Sequence, residues 1–313
     1  MTDLSVLGSD FSYAFLSIIF EGVPFILLGT LVSGFIDVYL PSGTLERVLP
    51  KRPVLSVLAA GLLGLFLPVC ECAIVPVIRR LVKKGLPFST ALTYMLAAPI
   101  VNPITAISTF SAFKGQDPGL FTASRLGLGY LLAVAVGLIL LKFRPSKVLK
   151  ASVIDQESAP SCCGHEHEHG HDHGPQPSRL VLAMRSALKD FVEVAVYFSI
   201  GVAAAAFFNV SSVFGAGEMS QLASGQLTGP ISLMVMAFVI SLCSSSDAFI
   251  AATLDRFSYA AKLAFMLFGP MMDVKLIFLY STVLRKKFIA VLAVGLFLSV
   301  LILSVAWELV FGL

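Results

Sequence analysis

Long apolar segments dominate this sequence and restrict what it can fold into. A helix that crosses a bilayer needs about 20 apolar residues. Eight segments of about that length can be drawn, near 11–39, 54–78, 87–112, 119–141, 187–209, 229–254, 259–284 and 288–312. The mean hydropathy is +0.90 and only 13% of the residues are charged, whereas a soluble domain carries about a quarter. The sequence therefore predicts an all-α polytopic membrane protein with about eight transmembrane segments.

One polar region divides the chain into two membrane halves. We assign 1–141 to a first membrane repeat, 142–186 to a polar linker and 187–313 to a second repeat. Basic residues flank the linker: Lys142, Arg144, Lys147, Lys150, Arg179, Arg185 and Lys189. Such residues favour the cytoplasmic side, so we expect a cytoplasmic linker in a bacterial-type inner membrane. The N-terminus, MTDLSVLGSDF, lacks the basic start of a cleavable signal, and its apolar segment is expected to remain as a span.

The two halves have matching motifs. ALTYMLAAPIVN at 91–102 aligns without gaps with KLAFMLFGPMMD at 262–273, and the same shift of 171 places Cys72 on Cys243. Many transporters consist of two such repeats, with the substrate site at their interface. Four spans in each half make the repeats parallel, which the sequence favours, and an odd number makes them inverted. The basic run 285–287 does not fit eight plain crossings and indicates a broken or re-entrant segment.

The stretch PVCECAIVP, 68–76, places two thiols and a carboxylate between prolines. Proline disfavours a continuous helix, and irregular backbone within a membrane must be buried in protein or line a watery cavity. Cys70 and Cys72 diverge by about 200° on a regular helix, but on broken backbone both can face one cavity. Glu71 is costly there unless it is functional. The alternative is that both thiols are small apolar fillers.

Two further stretches carry polar residues inside apolar segments. One is SLCSSSDAFIAA at 241–252, and the other is a pair of breaks, AAPIVNP at 97–103 and FGPMMDVK at 268–275. Matched Pro or Gly interruptions in two halves indicate a transporter's binding site. The candidate transport residues are thus Cys70, Glu71, Cys72, Pro99, Asn102, Cys243, Ser244, Ser245, Asp247, Pro270, Asp273 and Lys275. A merely structural ion pair between Asp273 and Lys275 is the alternative. Glu21 and Glu193, matched at a shift of 172, are weaker candidates for relaying protons.

The linker contains a tract, SCCGHEHEHGHDHG at 161–174, that favours metal binding. It holds Cys162 and Cys163, followed by all five histidines: His165, His167, His169, His171 and His173. Imidazole and thiolate suit Zn²⁺, Cu or Ni²⁺, and adjacent thiols suit soft species. A polar, Gly-containing segment imposes no fixed geometry, so we expect labile binding and no required cofactor. The tract is a collector, a sensor or a buffer for metal, or a tether that binds metal incidentally.

The membrane motifs also resemble a known family. CECAIVPVIRRLVKKGLPFSTALTYMLAAPIVNPI at 70–104, with CSSSDAFIAA at 243–252 and KLAFMLFGPMMDVKL at 262–276, is similar to the predicted permeases that include ArsP-type organoarsenical efflux proteins and YraQ-like permeases. The resemblance covers about 11–141 and 187–312. It implies an eight-span permease of two repeats. For ArsP-type members it implies export of trivalent arsenicals through cysteines, here Cys70, Cys72 and Cys243.

Three functions are compatible with these residues. The first is a secondary permease, not an enzyme, that exports a thiophilic metal or metalloid, with protons as a possible coupling ion. No nucleotide-binding motif of the G-x-x-x-x-G-K-[ST] kind occurs, and no nucleic-acid partner is expected. The second is an intramembrane thiol oxidoreductase, although C-x-C is not the C-x-x-C of redox sites. The third is a divalent-metal transporter or importer served by the histidine tract. The sequence favours the first, with the third as runner-up, and it leaves the oligomeric state open.

Overall fold

Long helices flank two sets of four shorter helices along the chain. The computed structural model describes residues 2–39, 41, 50, 52–66, 69–143, 148–149, 178–211 and 225–311, without side chains for 2–8 and 208–211. These residues form twelve α-helices: α1 Thr2–Tyr39, α2 Pro53–Leu62, α3 Ile74–Lys83, α4 Phe88–Ala97, α5 Pro103–Ala112, α6 Pro118–Leu140, α7 Arg179–Ser211, α8 Thr228–Ile240, α9 Asp247–Thr253, α10 Tyr259–Met271, α11 Val274–Tyr280 and α12 Lys286–Phe311. The all-α prediction is confirmed for this part of the chain, while the histidine tract lies outside it.

The helices of the two halves follow the same order. Helix α4 begins at Phe88 and α10 at Tyr259, and α5 begins at Pro103 and α11 at Val274; each pair is offset by 171. The long helices α1 and α7 end at Tyr39 and Ser211, offset by 172. Six helices of each half therefore occupy equivalent places along the sequence.

The predicted breaks are present, but not all at the expected residues. Helix α4 ends at Ala97, just before Pro99, and α5 resumes at Pro103. The second break, predicted within 268–275, is the irregular backbone of Met272–Asp273, and Pro270 itself lies inside α10. A proline restricts the turn that precedes it, and here that turn remains helical. Pro76 occupies the first turn of α3, where amide donors need no intrahelical partner; Pro68 lies outside the described residues.

Five helical segments in the described part are long and apolar enough to cross a membrane. They are Ser9–Tyr39, Pro118–Leu140, Arg179–Phe207, Tyr259–Tyr280 and Lys286–Phe311. The fourth contains α10 and α11 together. The helices Pro53–Leu65, Phe88–Ala97 and Thr228–Ile240 are apolar but shorter. The chain is therefore a multi-pass membrane protein.

Contacts between helix ends define two opposite faces of the molecule. On the first, Arg80 at the end of α3 lies 3.0 Å from Asp37 at the end of α1. At the same face the Arg285 amide donates to the Val148 carbonyl at 2.9 Å. On the second face Gln116 donates to Asp255 at 3.1 Å. Eight straight crossings would put the ends of α1 and α3 on opposite faces, so the eight-crossing path is not confirmed.

The centre of the fold consists of α4 and α10. Every residue of α4 is buried, and so is every residue of α10 from Ala260 to Met271. The long helices α1 and α7 pack along each other and come close to the irregular segments. A Cβ on Gly29 would lie 2.4 Å from the Ala73 Cβ, and one on Gly201 would lie 2.9 Å from the Lys275 Cα. These glycines allow α1 and α7 to approach the polar residues at the centre.

Candidate functional site

Two matched turns place cysteines at the centre of the molecule. The Cys70 carbonyl accepts hydrogen bonds from the amides of Ala73 and Ile74, each at 3.1 Å. The Cys243 carbonyl likewise accepts from the amides of Ser246 and Asp247, each at 3.0 Å. The turns lead directly into α3 and α9. Each half thus presents a thiol-bearing turn before a short helix.

The thiols of the two halves line one small cavity. A space of about 10 Å³ is bordered by Cys70, Cys72 and Cys243 together with Glu71 and Lys275, which is room for about one water molecule. The three cysteines are free thiols. Broken backbone therefore brings Cys70 and Cys72 to the same space.

A second, larger cavity adjoins the thiols. It has a volume of about 130 Å³ and is lined by the polar residues Cys70, Asn102, Thr105, Cys243, Ser244 and Ser245. The rest of its wall is apolar and comes mainly from α1, including Phe25 and Leu28. Ser245 donates to the Cys243 sulfur at 3.5 Å. A small, partly apolar solute that binds sulfur would fit such a space.

Lys275 lies between two buried carboxylates. Its Nζ is 3.4 Å from Glu71 Oε1 and 3.5 Å from Asp273 Oδ2, and it donates to the Ser241 carbonyl at 2.8 Å. Glu71 and Asp273 are fully buried and the Lys275 side chain is 3% exposed. Ser241 can point its carbonyl at the lysine because it ends α8 in a left-handed conformation, with φ 55°. The proposed Asp273–Lys275 pair is thus part of a trio that reaches the other half.

The trio has one more acidic group than basic groups. Glu71 also accepts from Ser244 at 3.2 Å, and Asp273 Oδ1 accepts from the Leu276 amide at 2.7 Å. Asp273 Oδ2 has no hydrogen-bond partner among the described residues. An unneutralised buried charge is very costly, so a proton or another cation is needed to balance the trio.

Asn102 occupies the position equivalent to Asp273. Its Oδ1 accepts from the Thr105 amide at 2.8 Å, and its Nδ2 donates to the carbonyls of Ala98 and Pro99 at 2.9 and 3.2 Å. It begins α5 as Asp273 begins α11. Pro99 takes part in this break through its carbonyl. Pro270 lines neither of the two cavities that contain the thiols.

The sequence analysis missed Arg125, which pairs with Asp247. Arg125 is the largest fully buried side chain of the described residues. It donates to Asp247 at 2.7 Å, to Thr109 at 2.9 Å and to the Ser244 carbonyl at 2.9 Å. Ser244 in turn contacts Glu71, so the pair and the trio form one polar network. A lone arginine inside the apolar segment 119–141 is the signal that would have revealed it.

The two weaker acidic candidates lie at separate places. Glu21 accepts from Ser246 at 2.7 Å and borders the 10 Å³ cavity. Glu193 pairs with Arg79 at 2.7 Å, away from the thiols. Within the described ranges, no three His, Cys, Asp or Glu side chains are grouped so as to hold a metal ion. Cys162, Cys163 and the five histidines, His165 to His173, lie outside those ranges.

Broken helices, buried charges and a polar cavity within an apolar bundle define a membrane permease. Comparison with known sequences agrees, because residues 9–309 match the family described as predicted permease, of the ArsP type. The chain belongs to this family, whose members are transporters rather than enzymes.

Two relatives cover most of the chain. One is the UPF0718 protein YcgR of Bacillus subtilis, 34% identical over 284 residues, or 89% of this chain and 90% of the relative. The other, from Streptococcus mutans, is named as a candidate subunit of a two-component membrane permease complex. It is 34% identical over 276 residues, or 88% of this chain and 87% of the relative. No solved structure matches the chain significantly.

Proposed function

We propose that this protein is a secondary permease that exports a thiophilic metal or metalloid, such as trivalent arsenic or an organoarsenical, across a bacterial inner membrane. The observation that carries the proposal is the single small cavity shared by Cys70, Cys72 and Cys243 with Glu71 and Lys275. Thiolates bind soft metals and metalloids. A thiol cluster from two halves would bind such a substrate when the halves close on it and lose it when they separate.

The substrate would enter as cargo and bind by exchange with protons. A thiol must lose its proton to become a ligand, and the positively charged Lys275 borders the same cavity as the three thiols. Because the described residues hold no assembled three-ligand site, we propose that Cys72 and Cys243 come together only when the substrate binds. Cys70 and Ser245 would border the approach from the 130 Å³ cavity.

Protons are the coupling ion that the charge balance supports. The trio has two carboxyl groups and one ammonium group, and Asp273 Oδ2 lacks a hydrogen bond. We propose that Asp273 carries the coupling proton and releases it once in each cycle. Glu71 would remain the anionic partner of Lys275 and Ser244.

The domain organisation follows the same proposal. Residues 1–141 and 187–313 would be two repeats around the site, and 142–186 a cytoplasmic linker. Its tract of Cys162, Cys163 and five histidines would bind Zn²⁺, Cu, Ni²⁺ or soft metals loosely, as an accessory that transport does not require.

Uptake into everted membrane vesicles tests the substrate and the site. Arsenite, methylarsenite, Cd²⁺ and Zn²⁺ would be compared for wild type, Cys72→Ser/Cys243→Ser and a deletion of 161–174. The double serine variant should lose uptake of the soft substrates at least about tenfold, as expected when a ligand set is destroyed, and the deletion should keep most of it. Cys162→Ser/Cys163→Ser is the matched control for thiol loss elsewhere.

Two results would contradict the proposal. Normal transport by Cys72→Ser/Cys243→Ser would make those thiols packing residues. Uptake of Zn²⁺ alone, abolished by the deletion, would favour the divalent-metal transporter served by the histidine tract.

A further inference from the structure

A second charged cluster lies outside the thiol site. Arg80 forms a two-pronged contact with Asp190, with Nε and Nη2 2.9–3.0 Å from the carboxylate oxygens, and pairs with Asp37 at 3.0 Å. Ser186 accepts from Arg80 and donates to Asp37, each at 2.8 Å. The neighbouring Arg79 pairs with Glu193 at 2.7 Å. These contacts join the end of α3 to both α1 and α7.

The cluster lies on one identifiable face of the membrane. Its face also contains the contact of 284–285 with 148–149. The chain near that face is strongly basic, with Arg79, Arg80, Lys83 and Lys84 at the end of α3 and the run 285–287 at the start of α12. An excess of Lys and Arg marks the cytoplasmic side, so the cluster lies at the cytoplasmic face.

The chain returns to this face at the end of α3. The ends of α1 and α3 meet here, so α2 and α3 together enter and leave by the same face as a re-entrant hairpin. The equivalent pair, α8 and α9, has its end near Gln116, which donates to the Ala252 carbonyl at 3.2 Å, on the opposite face. Three crossings and one hairpin in each half make the two repeats inverted, and residues 285–287 then lie inside.

Helix α3 runs from the thiol site to the cluster. It begins two residues after Cys72 and ends at Lys83. Arg80 is eight residues from Cys72, about 12 Å along a helix. Between them, a space bordered by Pro76, Arg79, Asp190 and Glu193 has a volume of only about 10 Å³. Along α3, the described residues thus leave only a small space between the thiols and the cluster.

We infer that the cluster of Arg79 and Arg80 with Asp37, Asp190 and Glu193 is the inner gate of the permease, closed here, and that breaking it exposes the thiols to the cytoplasm. Among the described residues, the equivalent helix of the second half has no such cluster. At the shift of 171, Arg79 and Arg80 correspond to Ile250 and Ala251 of α9, which cannot form ion pairs. This inference rests on the proposed transport function, but its test needs no transported substrate.

The test measures labelling of the site thiols from each side of the membrane. The parent carries Cys162→Ser/Cys163→Ser, and a variant that also lacks Cys70, Cys72 and Cys243 gives the baseline. A membrane-impermeant maleimide is added to inside-out and to right-side-out vesicles. Arg80→Gln should be labelled at least about tenfold faster than the parent from the cytoplasmic side, and unchanged from the other, because a partly buried charge-assisted contact is lost. The charge exchange Arg80→Asp/Asp190→Arg should restore slow labelling.

Controls distinguish a gate from general loosening of the fold. Arg285→Gln removes a charge from the same face outside the cluster and should label like the parent. The Arg285 side chain donates to the Leu149 carbonyl and forms no ion pair among the described residues. Arg79→Gln tests the more exposed Glu193 pair if Arg80→Gln does not accumulate. Parent-like labelling of Arg80→Gln, or an equal increase from both sides, would overturn the inference. Neither result depends on what the thiols transport.

Discussion

The breaks at Asn102 and Asp273 have the same backbone conformation, but one is neutral and the other is charged. Asn102 and Asp273 each begin a short helix from an extended conformation, with φ −142° and −140°. Each side chain accepts the amide three residues on, at 2.8 and 2.7 Å. Two residues later the first half has Ile104, which is 56% exposed, and the second has buried Lys275. The break at Asn102 forms part of the wall of the 130 Å³ cavity. The break at Asp273 contains the ion-paired trio.

The same asymmetry extends to every charged member of the polar network. At the shift of 171, Glu71 corresponds to Leu242, Arg125 to Leu296 and Asp247 to Pro76. Within this network no two equivalent positions both carry charge. Two of its three ion pairs, Glu71–Lys275 and Arg125–Asp247, join the two halves. The two halves thus share the backbone geometry of the break, whereas each charged residue of the network occurs in only one half. The 10 Å³ cavity and the polar network are both built from residues of the two halves.

Removing one member of the buried Arg125–Asp247 pair should have the largest effect. Asp247→Asn leaves Arg125 without a counter-charge, which typically costs about 3–5 kcal/mol. Arg125→Leu/Asp247→Leu removes both charges, as in the half where Leu296 needs no partner, and should recover most of the stability. The variants are heated in detergent, and size-exclusion chromatography measures the fraction of folded protein that remains. Equal instability of the single and double variants would show that the pair is not a self-contained ionic unit.

Converting the charged break into the neutral one should remove coupling while keeping the fold. Asp273→Asn reproduces the cap that Asn102 forms, and Asn and Asp cap helices equally well. It leaves Lys275 with a single carboxylate partner, Glu71, so no proton is needed to balance the charges. Accumulation driven by a pH gradient should fall at least about tenfold, the scale of losing one charge-assisted contact, while exchange of labelled for unlabelled substrate continues.

The opposite change gives the control for this experiment. Asn102→Asp adds a carboxylate to the neutral break beside the 130 Å³ cavity, where Ile104 stands at the position equivalent to Lys275. It should leave the dependence on the pH gradient in place. Undiminished gradient-driven accumulation by Asp273→Asn would remove Asp273 from the coupling mechanism.

The smallest effect is expected for the cap itself. Asn102→Ala removes the bond to the Thr105 amide and should lower the free energy of unfolding by about 1 kcal/mol. Asn102→Ser keeps a capping oxygen and serves as its control. A loss several times larger, measured by the same thermal unfolding, would show that Asn102 holds the break together through its bonds to Ala98 and Pro99 as well.

Much of the fold was predictable from local sequence. Apolar length predicted helices, and the matched spacing of Asn102 with Asp273 predicted paired breaks, which the described helices contain. The pairing of Cys72 with Cys243 was less accurate, because the turn that corresponds to that of Cys243 begins at Cys70, two residues earlier. Pro270 does not mark the second break, because a proline near a helix end can be accommodated within the helix. The prediction of eight crossings is not confirmed. Hydropathy measures apolar length, and α2 with α3 contains enough of it to span a membrane or to turn back within it.

The sequence by itself determined that the chain is a helical membrane protein of the permease family, that it is interrupted at matched points, and that those points carry thiols and carboxylates. These properties depend on composition and spacing, which are local. Only the tertiary structure decided that Lys275 lies between Glu71 and Asp273, that Arg125 pairs with Asp247, and that Arg80 joins α3 to α1 and α7. Charges attract across any sequence separation, and burial makes each partner necessary, so their pairing depends on how the helices pack.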